Sequence, residues 1–297
     1  MNRKRSFGIS RLRKLVQAGW GILQNGWFAG FVSGQIYSGP LKKFCVPGLN
    51  CYSCPGALGA CPIGSMQAFL SARRVKFPFY VLGFLVGIGI LAGRFICGWL
   101  CLFGLIQELL YMIPVKKWTV PEKADKLLRY LKYVFLFGFV ILLPIILRDE
   151  LGMSDPFFCK YICPAGMLEG GIPLLILNKA MRPAAHFLYV WKLGILLAVL
   201  VLSMFIHRPF CKYICPLGAF YGMFHKISFL KLHVDRTACI SCGKCVSVCQ
   251  MQVDPVHSPD SAECIRCGEC VKECPAGALQ FSVKNLDKKA MERERSR

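Results

Sequence analysis

Acidic residues are scarce in this chain of 297 residues, in which 16 Asp and Glu stand against 37 Lys and Arg, for a formal charge of +21. The basic residues lie at the N-terminus, in residues 116–132 and after residue 282, each time beside an apolar segment. No nucleic-acid-binding motif accompanies them. We therefore expect no nucleic acid partner, and basic residues flanking apolar segments instead favour a membrane surface.

The sequence also lacks motifs and residue types that would point to other classes of protein. It has no C-x2-C-H motif, which excludes covalent c-type haem. Ionisable residues are almost absent from its apolar segments, which argues against a transporter. The basic segment 1–14 precedes a long apolar stretch without a small-residue cleavage site, so we predict a helix there rather than a signal peptide. His186 and His207 flank one apolar segment at opposite ends and are expected to be interfacial residues.

Apolar residues, in contrast, make up 55% of the chain, and the mean hydropathy is +0.48. This composition is too apolar for an ordinary soluble domain and predicts a membrane protein with a small soluble appendix. Transmembrane helices are expected around residues 15–39, 77–93, 133–147 and 193–206. The last two apolar cores are shorter than the ~20 residues that a spanning helix needs, so their flanks must complete them. An interfacial helix is the alternative for residues 15–39.

Cysteine is abundant, with 18 residues in the chain. Residues 239–274 contain the pattern C-x2-C-x2-C-x3-C twice, which is the spacing of bacterial ferredoxins that bind two [4Fe–4S] clusters. In those sites the fourth Cys of each run ligates the other cluster. One cluster is therefore assigned to Cys239, Cys242, Cys245 and Cys274, and the other to Cys249, Cys264, Cys267 and Cys270. Structural zinc would not need the third and fourth Cys, and disulfides would not favour such short, repeated spacings.

A second cysteine pattern, C-x3-C, recurs at the ends of the predicted spans. Residues 158–166 and 210–218 share F-C-K-Y-I-C-P-x-G, and residues 96–104 are a looser copy without the Pro. We expect the two cysteines of a copy to lie on one face of a helix, so that two copies make a four-thiolate site. The Pro should begin a new helical segment. The alternative is that these cysteines are small apolar residues packed between helices.

A third group of cysteines lies in the Gly- and Pro-rich loop 45–61, which is predicted to ligate a cluster, with a pair of disulfides as the alternative. If the N-terminus is inside, Cys97, Cys101, Cys211 and Cys215 form an inner cluster, with Arg94 and Arg208 placed to offset its charge. An outer cluster then draws four ligands from six candidates, which are Cys45, Cys51, Cys54, Cys61, Cys159 and Cys163. If residues 15–39 do not cross, the loop would lie on the inner face instead.

The expected fold is an all-α polytopic membrane domain of about four transmembrane helices, followed by a small α+β ferredoxin-like domain with two [4Fe–4S] clusters. The predicted divisions are a basic N-terminus at 1–14, the membrane domain at 15–225, the ferredoxin-like domain at 226–282 and a charged tail at 283–297. The distribution of Lys and Arg places the protein in the cytoplasmic membrane with the ferredoxin-like domain on the cytoplasmic side.

The apolar spans, the copies at 97–101 and 211–215 and the two terminal ferredoxin runs together resemble the membrane polyferredoxin family, over roughly residues 77–281. That family includes the quinol-oxidising NapH-type subunits of periplasmic nitrate reductase systems and the iron–sulfur half of NosR. The resemblance implies electron transfer between the membrane quinone pool and redox partners. This chain departs from the family pattern in three respects, which are Leu102 in place of Pro, the copy at 159–163 and the loop 45–61.

Three functions are compatible with these features. The first is a membrane-bound electron-transfer protein that links a cytoplasmic redox partner, such as a ferredoxin or a reductase subunit, to the quinone pool or to an outer-face partner. The second is the quinol dehydrogenase subunit of an oxidoreductase with its own quinone site, for which Gln107 and Glu108 are the suggestive pair. A helix face turned to water is the more ordinary expectation for that pair. The third is a membrane redox sensor.

Overall fold

A computed structural model of the chain describes residues 3–72, 78–178, 183 and 187–283, with the side chains of residues 3–7 left aside. Residues 284–297 of the predicted charged tail lie outside the described residues, and so does His186. The described part is mostly helical, as predicted, with a small antiparallel sheet at its C-terminal end.

Twelve helical segments precede the sheet in the described ranges. The first six are α1 (Arg3–Gln24), α2 (Ala29–Ser33), α3 (Pro62–Leu70), α4 (Phe79–Ala92), α5 (Phe95–Trp99) and α6 (Leu102–Tyr111). The next six are α7 (Glu122–Ile146), α8 (Phe158–Ile162), α9 (Pro164–Leu177), α10 (Phe187–Phe205), α11 (Pro209–Tyr213) and α12 (Pro216–Met223). A short 3-10 turn at Pro40–Lys43 leads into the cysteine-rich loop.

The C-terminal domain is built on two strands, β1 (Leu230–Val234) and β2 (Leu279–Val283), which pair antiparallel from Leu230 opposite Val283 to Val234 opposite Leu279. Between them lie the two short helices α13 (Lys244–Ser247) and α14 (Glu269–Glu273). Each helix follows a glycine in the left-handed region, Gly243 at φ 69° and Gly268 at φ 85°. The predicted small α+β domain is therefore present, with the same turn built twice.

Two helices in the described part, α7 and α10, are long and apolar enough to cross a membrane. Helix α4, where a span was expected, has 14 residues. The continuous helix expected over residues 15–39 is wrong: α1 begins within the basic N-terminus and ends at Gln24, so the boundary at residue 14 falls inside it. Asn25 and Gly26 are poor helix formers. The Leu58 N–H donates to the free carbonyl of Gln24, at 2.9 Å, which ties the helix end to the cysteine-rich loop.

The second Cys of each C-x3-C copy is a helix N-cap. Cys101, Cys163 and Cys215 have extended backbones with ψ of 113°, 109° and 114°, and each sulfur accepts the N–H of the Gly three residues later at 3.4 Å. The expectation that both cysteines of a copy share one helix is therefore wrong. The chain breaks between them, because Pro disfavours the α conformation in the residue before it and fits the first helical position. Cys101 also caps a helix with an extended backbone, although Leu102 rather than Pro follows it.

Candidate metal centres

Four of the six candidate cysteines for an outer cluster converge, and they are defined here as the loop set: Cys51, Cys61, Cys159 and Cys163. A β-carbon on Gly64 would lie 3.8 Å from the Cys159 sulfur and 3.8 Å from the Cys61 Cβ, so α3 brings these two together. One on Gly166 would lie 3.6 Å from the Cys51 sulfur and 3.8 Å from the Cys163 sulfur. Burial, and then the nearby thiols of the other three, raises the pKa of Cys159.

A second convergence joins the first and last C-x3-C copies, as the sequence predicted. This core set consists of Cys97, Cys101, Cys211 and Cys215, all of them buried. Burial raises the pKa of Cys215, and the thiols of the other three raise it further. The amide of Gln107 donates to the Cys211 sulfur at 3.2 Å. The ends of helices that are far apart in sequence thus bring four sulfur atoms close together.

The C-terminal domain holds two more sets, in the crossed arrangement that the sequence predicted. A cavity of about 440 Å³ is lined by the proximal set, which is Cys249, Cys264, Cys267 and Cys270. A cavity of about 110 Å³ is lined by the distal set, which is Cys239, Cys242, Cys245 and Cys274. In both cases the fourth cysteine comes from the other run of the motif, so each cavity is enclosed by both halves of the domain.

The four sets fit [4Fe–4S] groups better than single metal ions. In the described ranges, no group of three or more His, Cys, Asp or Glu side chains is spaced to hold one ion. Thiolates around a cubane bind different iron atoms and stand further apart. Backbone N–H groups also aim at the sulfurs, as in known clusters. Next to Cys61, the side-chain amide of Asn50 is 1% exposed and has no hydrogen-bond partner among the described residues, which suits a sulfide acceptor.

Arg94 and Arg208 lie beside the core set and are fully buried. Arg94 donates to the Cys211 carbonyl at 3.0 Å, and Arg208 donates to the carbonyl of Cys97. Burial raises the pKa of the Cys97 thiol, while the two guanidinium groups oppose that rise. Both cations are therefore placed to offset negative charge at this site.

The polar pair in α6 is not turned to water, contrary to the ordinary expectation. Gln107 and Glu108 are 0% and 5% exposed. Glu108 accepts a hydrogen bond from Arg13 at 2.8 Å, forms an ion pair with Arg208 at 2.9 Å and lies 3.5 Å from the Nε2 atom of His207. His207 is largely covered by these groups, with 9% of its side chain exposed. These polar groups face inwards because α1 covers that side of α6.

The C-terminal domain is fastened to the helical domain next to the core set. Glu263 accepts from Arg94 at 2.7 Å and from Lys132, and both cations are fully buried. Burial alone would raise the pKa of Glu263, but Arg94 and Lys132 hold it down at about 2. The Trp99 indole donates to the Arg266 carbonyl at 3.0 Å. The proximal set is thus held against the α5 segment that carries Cys97.

The loop set and the core set are neighbours. A β-carbon on Gly48, in the 45–61 loop, would lie 3.6 Å from the Cys101 Cα, so the loop packs on the backbone of the core set. Tyr221 is buried close to thiols of both sets. The two sites, which were expected at opposite membrane faces, therefore lie close together in the structure.

Two cysteines remain outside the four sets. Cys54 is 3% exposed, and its carbonyl accepts the Ala57 N–H at 3.2 Å within its own turn. Cys45 is half-buried and its sulfur lies 3.9 Å from the Ser65 hydroxyl. All 18 cysteines are free thiols, so the disulfide alternative for the loop is not formed.

The C-x3-C pattern does not reveal a fourth copy of the capping motif. Residues 61–64 read C-P-I-G, and Cys61 is the N-cap residue of α3 with an extended backbone, as Cys163 and Cys215 are for their helices. The signal was the C-P-x-G portion of the repeat, which was hidden because Ala57 stands where the first Cys would be.

Comparison with known proteins finds the same fourfold pattern. The sequence profile of a family described as 4Fe-4S binding domain matches residues 59–80, 77–121, 132–176 and 189–235, which together cover just over half of the chain. A second profile of the same description matches residues 232–253 and 258–280. Each segment of the first family contains one of the capping cysteines, which are Cys61, Cys101, Cys163 and Cys215. No solved structure matches the chain.

Several curated proteins are similar over most of the chain. An uncharacterized protein of Methanocaldococcus jannaschii is 32% identical over 75% of this chain and 86% of its own length. The methylamine utilization ferredoxin-type protein MauN of Paracoccus denitrificans is 25% identical, over 81% of each chain. The putative electron transport protein YccM of Escherichia coli is 27% identical over 66% of this chain and 53% of its own length.

Proposed function

The chain belongs to the family of ferredoxin-type 4Fe-4S binding proteins, as its sequence motifs indicated, and on that premise we propose that it is a membrane-embedded conduit for electrons. It is an iron–sulfur electron-transfer protein of the YccM and MauN kind. The observation that carries the more detailed proposal is the continuous series of contacts from the distal set to the loop set.

Each of the four cysteine sets would hold one [4Fe–4S] group. Bound groups of this kind supply one-electron chemistry. The chain contributes thiolates at helix N-termini, where the backbone N–H groups favour negative charge. It also contributes Arg94 and Arg208, whose charges favour the reduced state of a group held by the core set.

The order of the sites follows from the contacts. The distal and proximal sets share one small domain, and the proximal set lies on α5 through the Trp99 and Glu263 contacts. Helix α5 carries the first thiol of the core set, and the 45–61 loop, which supplies Cys51 and Cys61 of the loop set, packs on Cys101 of the core set. An electron can therefore move in short steps from the exposed domain into the helical domain. No quinone is needed to bridge the two membrane-domain sites.

The surface of the apolar helices supports insertion in a membrane. Only 22% of the apolar window of α7 and 17% of that of α10 is buried inside the protein. Large apolar side chains point outwards, among them Phe137 at 52%, Ile146 at 64% and Phe187 at 81% exposure. Polar side chains such as Gln67 and Ser203 point inwards at 0% exposure. This distribution is the reverse of that in a soluble protein, and it requires an apolar environment around the helices.

The Lys-rich segment before α7 supports a cytoplasmic position for the C-terminal domain. Lys117 donates to the Met204 carbonyl at 2.9 Å, so the start of α7 and the end of α10 lie at the same end of the helical domain. The basic residues there favour the cytoplasmic face. Cys242 of the distal set is exposed at the far side of the C-terminal domain, which makes that side the entry point for a soluble redox partner.

A quinol dehydrogenase is the second candidate, and one observation favours it. The 440 Å³ cavity at the proximal set extends to Glu108, Tyr111 and His207. Among the described residues, Glu108 Oε2 and His207 Nδ1 have no hydrogen-bond partner. Burial lowers the pKa of His207, and Arg208 holds the pKa of Glu108 below its usual range despite burial. Both groups are therefore unprotonated at neutral pH, and the free Glu108 Oε2 and His207 Nδ1 atoms can accept hydrogen bonds from the hydroxyls of a quinol.

The conduit is tested with the full-length protein purified without oxygen and reconstituted in liposomes. We expect iron and sulfide for four clusters, and rapid electron exchange with a reduced ferredoxin that ends with all four reduced in paramagnetic resonance spectra. Iron for the two C-terminal clusters alone would overturn the conduit, and so would zinc in place of iron.

The same liposomes test the quinol candidate. Oxidation of a quinol analogue without a partner protein, lost in Glu108→Gln and in His207→Phe at unchanged iron content, would support a quinone site. Glu122→Gln, which changes an exposed carboxylate of α7, is the matched control. If the wild-type protein exchanges electrons with ferredoxin but leaves the quinol untouched, the plain conduit stands and the quinone site is rejected.

A further inference from the structure

The four capping cysteines share one further feature, which is a polar side chain six residues later in the chain. Residues 61–67, 101–107, 163–169 and 215–221 read C-P-I-G-S-M-Q, C-L-F-G-L-I-Q, C-P-A-G-M-L-E and C-P-L-G-A-F-Y. The Cα–Cβ bond of a helical residue tilts towards the helix N-terminus, so a long side chain at this position reaches back towards the capping cysteine. These are defined as the sixth-position residues, Gln67, Gln107, Glu169 and Tyr221.

At the core set, both ends of the Gln107 side-chain amide contact the last C-x3-C copy. The Nε2 atom donates to the Cys211 sulfur and to the Phe103 carbonyl, both at 3.2 Å, and the Oε1 atom accepts the Phe210 N–H at 3.2 Å. Because only the oxygen can accept the Phe210 N–H, the nitrogen must face the sulfur. Gln107 is 0% exposed, so water does not compete for these bonds.

At the loop set, two sixth-position residues hold the backbone of cysteines that their own helices do not carry. Gln67 in α3 accepts the Cys159 N–H at 3.3 Å, and Glu169 in α9 accepts the Cys51 N–H at 2.7 Å. A β-carbon on Gly170 would lie 3.2 Å from the Cys51 sulfur, so α9 packs directly on this thiol. Each helix capped by one loop-set cysteine therefore positions another.

Tyr221 in α12 completes the pattern as a donor. Its side chain is 0% exposed, and its hydroxyl donates to the Pro47 carbonyl at 2.9 Å. Pro47 lies in the loop that supplies Cys51 and Cys61. All four sixth-position residues thus bond a segment that carries a thiol of the loop set or the core set.

We propose that the sixth-position residues are positioning residues for the two cysteine sets of the helical domain, and that Gln107 also tunes the core set. The proposal rests on the proposed function, since it requires a cluster in each set. The Cys211 sulfur stands for an iron-bound thiolate. A hydrogen bond to such a sulfur stabilises the added negative charge of the reduced state. Gln67 and Glu169 contact backbone and fix where a ligand lies.

The tuning role is tested with Gln107→Leu in the full-length protein, prepared without oxygen. We expect the midpoint potential of the core-set signal to become more negative in redox titrations followed by paramagnetic resonance, while the distal set keeps its potential. Ser203→Ala is the matched control, because it removes a buried hydroxyl that bonds the Val199 carbonyl of its own helix at 2.7 Å. It should leave every potential unchanged.

The positioning role is tested at Glu169, where two variants of similar size separate hydrogen bonding from packing. Glu169→Leu removes the acceptor of the Cys51 N–H, and we expect the iron of the loop-set cluster to be lost. Glu169→Gln keeps an oxygen that can accept the same N–H, so it should retain that iron. Loss of iron in both variants, or in neither, would overturn the positioning role of this residue.

A measurement on the wild-type protein decides for Gln107 if Gln107→Leu does not fold. With ¹⁵N placed only in glutamine side chains, the core-set signal should show a nitrogen coupling, and its absence would overturn the sulfur contact. An unchanged core-set potential in a fully loaded Gln107→Leu would overturn the tuning role and leave the conduit intact. A wild-type protein with only the two C-terminal clusters would instead overturn the conduit itself.

Discussion

A β-carbon on Gly98 would lie 2.4 Å from the carbonyl oxygen of Ile265. Gly98 follows a core-set cysteine and Ile265 lies between two proximal-set cysteines, so the two sites meet backbone to backbone. Any side chain at residue 98 would push the C-terminal domain away from the helical domain, because two backbones cannot yield as a flexible side chain can.

Gly98→Ala should therefore destabilise the docked domain by about 1–3 kcal/mol and weaken the magnetic interaction between core-set and proximal-set signals. Gly87→Ala is the control, because a β-carbon there meets nothing within 4 Å and Ala is the better helix former by about 0.5–1 kcal/mol. Thermal unfolding and paramagnetic resonance of both variants make the comparison. Equal stability of the two variants would show that the close contact is absent.

Glu263→Gln should cost about 3–5 kcal/mol of stability, because it leaves the buried cations Arg94 and Lys132 without their carboxylate. The exposed pair of Lys126 and Glu122, 2.7 Å apart, provides the comparison. Glu122→Gln should change stability far less, since water already screens that pair. Denaturant unfolding followed by the near-ultraviolet signal measures both, and similar losses in the two variants would contradict the buried bridge.

Arg208→Gln should make a cluster in the core set harder to reduce, shifting its midpoint potential to a more negative value. The guanidinium is fully buried beside Cys97, Cys101 and Cys211, so its positive charge is weakly screened and favours added negative charge. Redox titration followed by paramagnetic resonance measures the shift. The signals of the distal set should keep their potentials, which serves as the internal control. A shift of equal size at every site would indicate a general loss of structure.

His225 should make stability depend on pH between 6.5 and about 3. Burial, followed by the charges of Arg266 and Arg94, lowers its pKa to about 3, and Glu263 and Lys231 are the other charged groups nearby. A base with a lowered folded-state pKa contributes fully above its unfolded value, and that contribution is lost as the pH falls. The slope is about 1.4 kcal/mol per pH unit below 6.5.

His225→Phe should flatten that slope, because Phe does not titrate. The difference in unfolding temperature between wild type and variant, followed from neutral pH to about pH 5, isolates the contribution of this residue from that of other groups. Parallel curves for the two proteins would mean that His225 is accessible to protons in the folded state.

Cys61→Ser should remove one cluster's worth of iron, whereas Cys54→Ser and Cys45→Ser should retain the wild-type amount. The reason is that Cys61 lies among the loop-set thiols, while Cys54 is held by the N–H groups of its own turn. Iron analysis of anaerobic preparations distinguishes them. Loss of iron in Cys54→Ser would assign that residue to the site in place of a loop-set member.

The sequence is sufficient to predict iron–sulfur chemistry, but it is not sufficient to predict how all the cysteine sets are arranged in space. The crossed ferredoxin sets and the core set follow from spacing, because ligation requires convergent thiols. The contact of the 45–61 loop with the core set does not, since it depends on how an irregular loop packs. The burial of Glu108 was also hidden, because α6 alone looks amphipathic and the partner that covers it, Arg13, lies in α1 far away in sequence.

The docked C-terminal domain bears on how the protein matures. Arg94 and Lys132 are fully buried beside Glu263, and the thiols of the core set are buried in the folded protein. Assembly proteins that deliver iron and sulfide need access to those thiols. A cluster in the core set would therefore have to be inserted before the C-terminal domain closes over these thiols.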